Sequence, residues 1–228
     1  RITKHAEPTC TDSGSSVYTC SGCGASVTQP LRPLRSCPSK ALSDVPAPGS
    51  WAHAGIDFCV RTSLMSGVGS GRFDPKGTTT RAQAVQILYQ LSGSPEVSGK
   101  TPFADLTQGW YRSAVLWAYR TGVTAGTSRT TFSPDAPVTR EQLAVLLMEY
   151  TDRILKLRHT WTPAPLSTFP DGGRVSGWAR SAMADAVALG LISGSDDNGV
   201  KYLRPQGLTT REQTAAILTA FCQNVKNC

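Results

Sequence analysis

One pattern recurs three times along the chain: a Trp, a Gly sixteen residues later, then Phe or Leu, a Pro two positions on, and Thr-Arg-x-Gln. The first copy is Trp51, Gly67, Phe73, Pro75, Thr80-Arg81-Ala82-Gln83. The second is Trp110, Gly126, Phe132, Pro134, Thr139-Arg140-Glu141-Gln142, and the third Trp178, Gly194, Leu203, Pro205, Thr210-Arg211-Glu212-Gln213. Pro and Arg are 6 residues apart in every copy, and only the stretch between Gly194 and Leu203 is longer. Repetition of this kind marks stacked or pseudo-symmetric units that bury one shared core. A site on one copy is therefore expected on the others.

Each copy reads as helix, loop, helix. Thr80, Thr139 and Thr210 each precede a Gln by three residues, the spacing of a capping box in which hydroxyl and amide side chain satisfy two helix-end N–H groups. Counted from the Arg, apolar or small residues fall at +3, +6, +7 and +10. They are Ala84, Ile87, Leu88, Leu91; Leu143, Leu146, Leu147, Tyr150; and Thr214, Ile217, Leu218, Phe221. That is one face of a helix. The first helix of each copy starts near the Trp and stops near Ser63, Gly122 or Gly190, two of them suited to a left-handed helix end. A unit of about fifty residues buries too little surface alone. The expectation is a mainly α pseudo-threefold bundle, monomeric, with repeats at 42–93, 102–151 and 168–222.

Residues 1–36 are different in texture, rich in Thr, Ser, Gly and Pro with three cysteines, and read as a small β-like module ending at Gln29-Pro30-Leu31-Arg32-Pro33. The linkers Ser92-Gly93-Ser94-Pro95 and Thr160-Trp161-Thr162-Pro163-Ala164-Pro165 are poor in helix formers. No apolar run approaches the length of a membrane span. The chain opens at Arg1 without a charged and apolar leader, so it reads as a processed form or a segment of something larger. A formal charge of +7 favours acidic partners. Nucleic acid, anionic lipid and acidic glycan all qualify, and because the basic residues are dispersed nucleic acid is the weaker reading.

Arg81, Arg140 and Arg211 occupy the first helical position, where the helix dipole disfavours a cation by a few tenths of a kcal/mol. Guanidinium, dipole and first-turn amides converging there would make an anion site. The alternative is that each Arg bonds a carbonyl or an Asp of a neighbouring repeat, with Asp44, Asp105 and Asp171 as partners or as caps of the first helix. Trp51, Trp110 and Trp178 read either as core anchors, the commoner role, or as stacking platforms for sugar rings. Gly67, Gly126 and Gly194 serve a turn, close approach of a ligand, or both.

The set Phe103-Ala-Asp105-Leu, Trp110, Gly122-Val123-x-x-Gly126, Phe132-x-Pro134, Val138-Thr139-Arg140-Glu141-Gln142 resembles the S-layer homology repeat, and the resemblance covers nearly all of residues 42–222. It implies a pronged α-helical spindle that anchors exported proteins to the bacterial cell wall, extracellular or at the cell surface. Grooves between repeats would bind secondary cell-wall polysaccharide, often through pyruvylated N-acetylmannosamine, with the basic residue of the Thr-Arg-Ala-Glu motif falling on Arg81, Arg140 and Arg211. The chain departs from the family in carrying Gln83, Gln142 and Gln213 where the motif has Glu, and Ser63 in place of the Gly at 122 and 190. The insertion Ser195-Asp196-Asp197-Asn198-Gly199 reshapes the third groove; it reads as a turn rather than a calcium loop.

Seven cysteines leave an odd count. The run Cys10-x9-Cys20-x2-Cys23-Gly24 resembles short repeats of Firmicutes surface proteins. Cys10, Cys20 and Cys23 are candidate ligands of a structural zinc, with His5 or Cys37 as the fourth. A disulfide from Cys10 to Cys20 or Cys23 is the rival. Cys59 reads as a small buried hydrophobe, and Cys37 with Cys222 or Cys228 as a clasp of the chain ends. No required cofactor and no catalytic motif is read: His5, His53 and His159 form no metal pattern, and Gly67-x-Gly69-x-Gly71 lacks phosphate-loop spacing. The leading expectation is a non-catalytic wall anchor. The alternatives are a protein-interaction or host-contact surface, or the non-catalytic part of a larger envelope enzyme.

Overall fold

The computed structural model describes residues 2–6, 8–10, 12–107, 109–157 and 161–226, the side chains of 2–5 excepted. The His5 side chain, His159 and Cys228 lie outside that set. Each repeat supplies two helices: α1 (His53–Arg61) and α2 (Arg81–Leu91), α3 (Arg112–Thr121) and α4 (Arg140–Tyr150), α5 (Arg180–Ala188) and α6 (Arg211–Phe221). The chain is mainly α, as its periodicity predicts. All twelve residues of the +3, +6, +7, +10 faces of α2, α4 and α6 are buried. The capping boxes form at α2 and α4: Gln83 and Gln142 donate their amides to the hydroxyls of Thr80 and Thr139, and their side-chain oxygens accept the Thr amides in return. Gln thus does the capping work of the family's Glu. At the ends of the first helices, Gly122 and Gly190 are left-handed, and Ser63 takes the same conformation at φ 58°.

Two compact units divide the chain, Arg1–Lys76 with Arg211–Cys228, and Gly77–Thr210. The first holds a three-stranded antiparallel meander, β1 (Ile2–Ala6), β2 (Gly14–Thr19) and β3 (Ser26–Leu31), followed by a 3-10 turn at Pro38–Ala41. Pro30 sits in β3, an edge strand, the place in a sheet where a residue without an N–H is tolerated. In this unit α1 packs on α6. The second unit pairs α2 with α3 and α4 with α5. Every first helix therefore packs against the second helix of the repeat before it in cyclic order. A repeat buries its apolar stripe against its neighbours, which is why no repeat is self-sufficient.

The segments entering the second helices meet in a closed ring within the second unit. The Thr79 amide donates to the Thr209 carbonyl at 2.9 Å, Thr209 to Val138 at 3.0 Å, and Val138 to Thr79 at 2.9 Å. All three residues are fully buried, where an unmade backbone bond would cost about twice what a made one contributes. The inserted residues of repeat three form a hairpin, β4 (Ser195–Asp197) and β5 (Val200–Tyr202), turning at Asn198-Gly199 with positive φ at both. That is the geometry of a two-residue hairpin turn.

Candidate functional site

The three repeated arginines are buried, each at 5–6% exposure, and each makes the same bond. Arg81 Nε donates to the Phe132 carbonyl at 2.9 Å, Arg140 Nε to Leu203 at 2.8 Å, and Arg211 Nε to Phe73 at 2.8 Å. The acceptor is always the aromatic or Leu of the next repeat's Phe-x-Pro segment. Arg81 lies 5.0 Å over the Phe132 ring and Arg211 4.6 Å over Phe73; Leu203 offers Arg140 no ring. Arg211 also donates from Nη2 to Ser66 O at 2.6 Å. Burial lowers the pKa of all three guanidinium groups, and neighbouring carboxylates, Asp105 for Arg81, oppose it.

First-turn amides do not add to an anion site. Those of Arg81 and Arg140 donate to Ala136 O and Gly207 O, and those of Ala82, Glu141 and Glu212 to Pro134 O, Pro205 O and Pro75 O. The expectation of open helix N–H groups is corrected here: the loop of the next repeat already covers them. What stays available is the guanidinium edge. Among the described residues no protein acceptor meets the terminal Nη groups of Arg81 or Arg140.

Asp44, Asp105 and Asp171 neither cap the first helices nor bridge to the arginines. Asp105 accepts the amides of Phe132 (2.9 Å) and Ser133 (2.7 Å), Asp171 those of Leu203 (2.8 Å) and Arg204 (2.7 Å), and Asp44 those of Phe73 (2.6 Å) and Asp74 (2.9 Å). One residue of the Phe-x-Pro segment is thus held from both sides, its N–H by the Asp of its own repeat and its C=O by the Arg of the repeat before. Burial pushes the Asp44 and Asp105 carboxyls up, but the two amides on each outweigh it and their pKa values fall below the ordinary carboxylate value.

Trp51, Trp110 and Trp178 are 63%, 54% and 61% exposed, so the core-anchor reading fails at all three. Trp110 meets Tyr111 edge to face at 5.0 Å. The glycines serve packing. A Cβ on Gly126 (φ 83°) would stand 2.5 Å from the Phe103 ring and 2.6 Å from Thr131 O. One on Gly67 would meet Arg72 O at 2.7 Å, and one on Gly194 (φ 81°) Phe169 and Lys201 at 3.1 Å.

In the second unit Arg81, Gly126 and Trp178, one residue from each repeat, line a single open cleft of about 590 Å³. Gln142, Thr124, Thr127, Glu149 and Arg153 complete its polar lining, with Arg153 Nε 2.6 Å from Glu149. Two cations against one carboxylate leave the lining net positive. The β4–β5 hairpin lines another cleft of about 560 Å³ with Arg174, Arg204 and Tyr202, and Arg140 is not part of it.

The cysteines group differently from the sequence expectation. Cys10 is not brought together with Cys20 and Cys23 as one ligand set; its Sγ lies with Cys37, His53 and Asp57, all ligand atoms within 4.8 Å of one another. Cys20 and Cys23 are exposed free thiols. Spacing draws the eye to Cys-x-x-Cys, whereas His53 and Asp57 sit one turn apart on α1 and carry no motif. Cys59 is fully buried, as expected, and Cys222 is a buried thiol, so Cys37 does not clasp it.

Three segments, 42–85, 102–144 and 168–215, match the S-layer homology domain and together make up more than half of the sequence. The chain belongs to the S-layer homology domain family, whose members are anchoring modules of cell-surface proteins. It is 28% identical to the surface-layer 125 kDa protein of Lysinibacillus sphaericus over 93% of its own length and 17% of that protein. It is 27% identical to the cellulosome-anchoring protein of Acetivibrio thermocellus over 68% of the chain and 34% of that protein. It is 26% identical to the exoglucanase XynX of the same species over 78% of the chain and only 16% of the enzyme. The chain thus spans between 16% and 34% of these relatives' length, and the enzyme is matched through its S-layer homology repeats. No helix among the described residues is long and apolar enough to cross a membrane.

Proposed function

We propose that this chain is a non-catalytic module that holds an envelope protein on acidic secondary cell-wall polysaccharide, pyruvylated sugar being the chemistry its cleft suits. One observation carries the reading: Arg81, with Nη groups that meet no protein acceptor among the described residues, shares a cleft with a Trp178 ring that is 61% exposed. A carboxylate on the sugar would take the guanidinium edge as a charge-assisted pair. The C–H face of the sugar ring would cover the indole, which is otherwise an apolar surface left in water. Thr124, Thr127 and Gln142 offer hydrogen bonds to hydroxyls. Gly126 admits the Phe103 ring to the cleft wall rather than touching ligand itself. Arg140 and Arg211, in the same clasp, and Trp51, Trp110, Gly67 and Gly194 at equivalent registers are proposed as counterparts. The surface-layer and cellulosome-anchoring relatives agree with this role. The test is retention on purified wall polysaccharide. Trp178→Ala removes an exposed ring, so its affinity for the polysaccharide falls about two- to tenfold for the loss of one stacked contact. Retention equal to wild type in both Trp178→Ala and Arg81→Lys would overturn the assignment of this cleft.

A further inference from the structure

In the first unit, four side chains that no part of the anchoring function uses converge on one point. They are Cys10, before β2; Cys37, ahead of the 3-10 turn; and His53 and Asp57, a turn apart on α1. The geometry points to a structural zinc site of Cys10 Sγ, Cys37 Sγ, His53 Nε2 and Asp57 Oδ2. His53 Nε2 is 3.2 Å from Cys10 Sγ and 3.2 Å from Asp57 Oδ2. The edges of a tetrahedron built from ordinary zinc–sulfur, zinc–nitrogen and zinc–oxygen bonds run from about 3.3 to 3.8 Å, so the donors already stand near ligand spacing.

The hydrogen bonds around the site settle which atoms face inward. His53 Nδ1 lies 2.6 Å from the Pro46 carbonyl. That acceptor takes the proton on Nδ1, and in the neutral ring Nε2 is then the free lone pair, the arrangement that orients ligating histidines. Asp57 Oδ1 accepts from the amide of Ser39 at 2.9 Å and from its hydroxyl. Oδ2, in contrast, is buried and makes no hydrogen bond. The His53 and Asp57 side chains are 7% and 3% exposed. A neutral imidazole lone pair and a carboxylate oxygen aimed at each other in a dry pocket are repulsive and costly, and a thiol S–H such as that of Cys10, 3.2 Å from Nε2, is only a weak donor. A divalent cation satisfies all four groups at once. Two sulfurs, one imidazole and one carboxylate, four donors in all, suit zinc better than calcium or magnesium, which take oxygen. Zinc there would tie the cysteine-rich segment to α1 and the 3-10 turn. A Cys10–Cys37 disulfide is the competing chemistry, but it would leave Asp57 Oδ2 and His53 Nε2 only each other, at 3.2 Å.

Cobalt(II) titration of the reduced, metal-stripped 228-residue chain tests the proposal. One equivalent should bind with thiolate-to-cobalt charge-transfer absorption and intense tetrahedral visible bands, and zinc should displace it. Asp57→Asn and Cys10→Ser, with folding checked by circular dichroism, should weaken binding by at least about tenfold. The Cys20→Ser/Cys23→Ser double variant should keep the full signal. Absence of the bands in wild type overturns the site. So does a signal that survives Cys10→Ser but disappears with Cys20 and Cys23, or a mapped Cys10–Cys37 disulfide in metal-free protein from an oxidising compartment.

Discussion

Replacing each repeated Arg by Ala separates its two roles, because the clasp is chemically unequal at the three positions. At Arg81 the change removes a bond from a charged donor to Phe132 O, worth about 1.5–3 kcal/mol, and a cation–π contact, worth about 0.5–2 kcal/mol. It also removes the packing of three methylenes, about 2 kcal/mol. Recovered side-chain entropy and relief of the buried charge return about 2 kcal/mol. The net loss is about 3 kcal/mol. Arg140 has Leu203 in place of a ring, so Arg140→Ala loses about 1 kcal/mol less. Arg211 holds a second carbonyl, Ser66 O, so Arg211→Ala loses about 1 kcal/mol more. Urea unfolding followed by far-ultraviolet circular dichroism should rank the variants Arg211, Arg81, Arg140 from most to least destabilised, with similar slopes. If all three lie within about 0.5 kcal/mol of wild type while wall retention is lost, the clasp is not structural and the reasoning fails.

Gly126→Ala should destabilise by about 2–4 kcal/mol, since the Cβ meets the Phe103 ring and a carbonyl in a left-handed conformation; Gly194→Ala, with contacts at 3.1 Å, should cost about half as much in the same urea assay. The carboxyls of Asp44 and Asp105 have folded pKa values below the unfolded value of about 3.9. Their stabilisation is therefore complete above about pH 4 and lost as pH falls through the folded values. Acid unfolding should show this loss in wild type and a shallower one in Asp105→Asn. In iodoacetamide labelling at about pH 8, Cys20 should react ahead of Cys59. The Cys20 thiol is exposed and its pKa is lowered by the Cys23 and Gly22 amides, while desolvation pushes Cys59 up to about 12. Equal rates would contradict the burial of Cys59.

The helices were readable because each buried face repeats with helical period and each cap needs only residues three apart. The turn at residues 195–199 was equally local, while the two short strands it joins appear only in the fold. What sequence left hidden is non-local. The spacing places each Arg at a helix start, but nothing in it says that the next repeat's loop lies across that start and takes its amides. The role of Asp105 was hidden for a related reason: the amides it accepts from, those of Phe132 and Ser133, lie 27 and 28 residues away and carry no side-chain signal for it. Trp178 was ambiguous because an indole serves core and ligand alike; only exposure decides. His53 and Asp57 looked like ordinary helix residues until the fold set Cys10 and Cys37 beside them.

The account rests on a guanidinium edge and an indole sharing one cleft in the Gly77–Thr210 unit. A crystal structure with pyruvylated N-acetylmannosamine examines that directly. It should show the pyruvyl carboxylate on Arg81 Nη and the sugar ring against Trp178. A ligand seated away from both residues would contradict it.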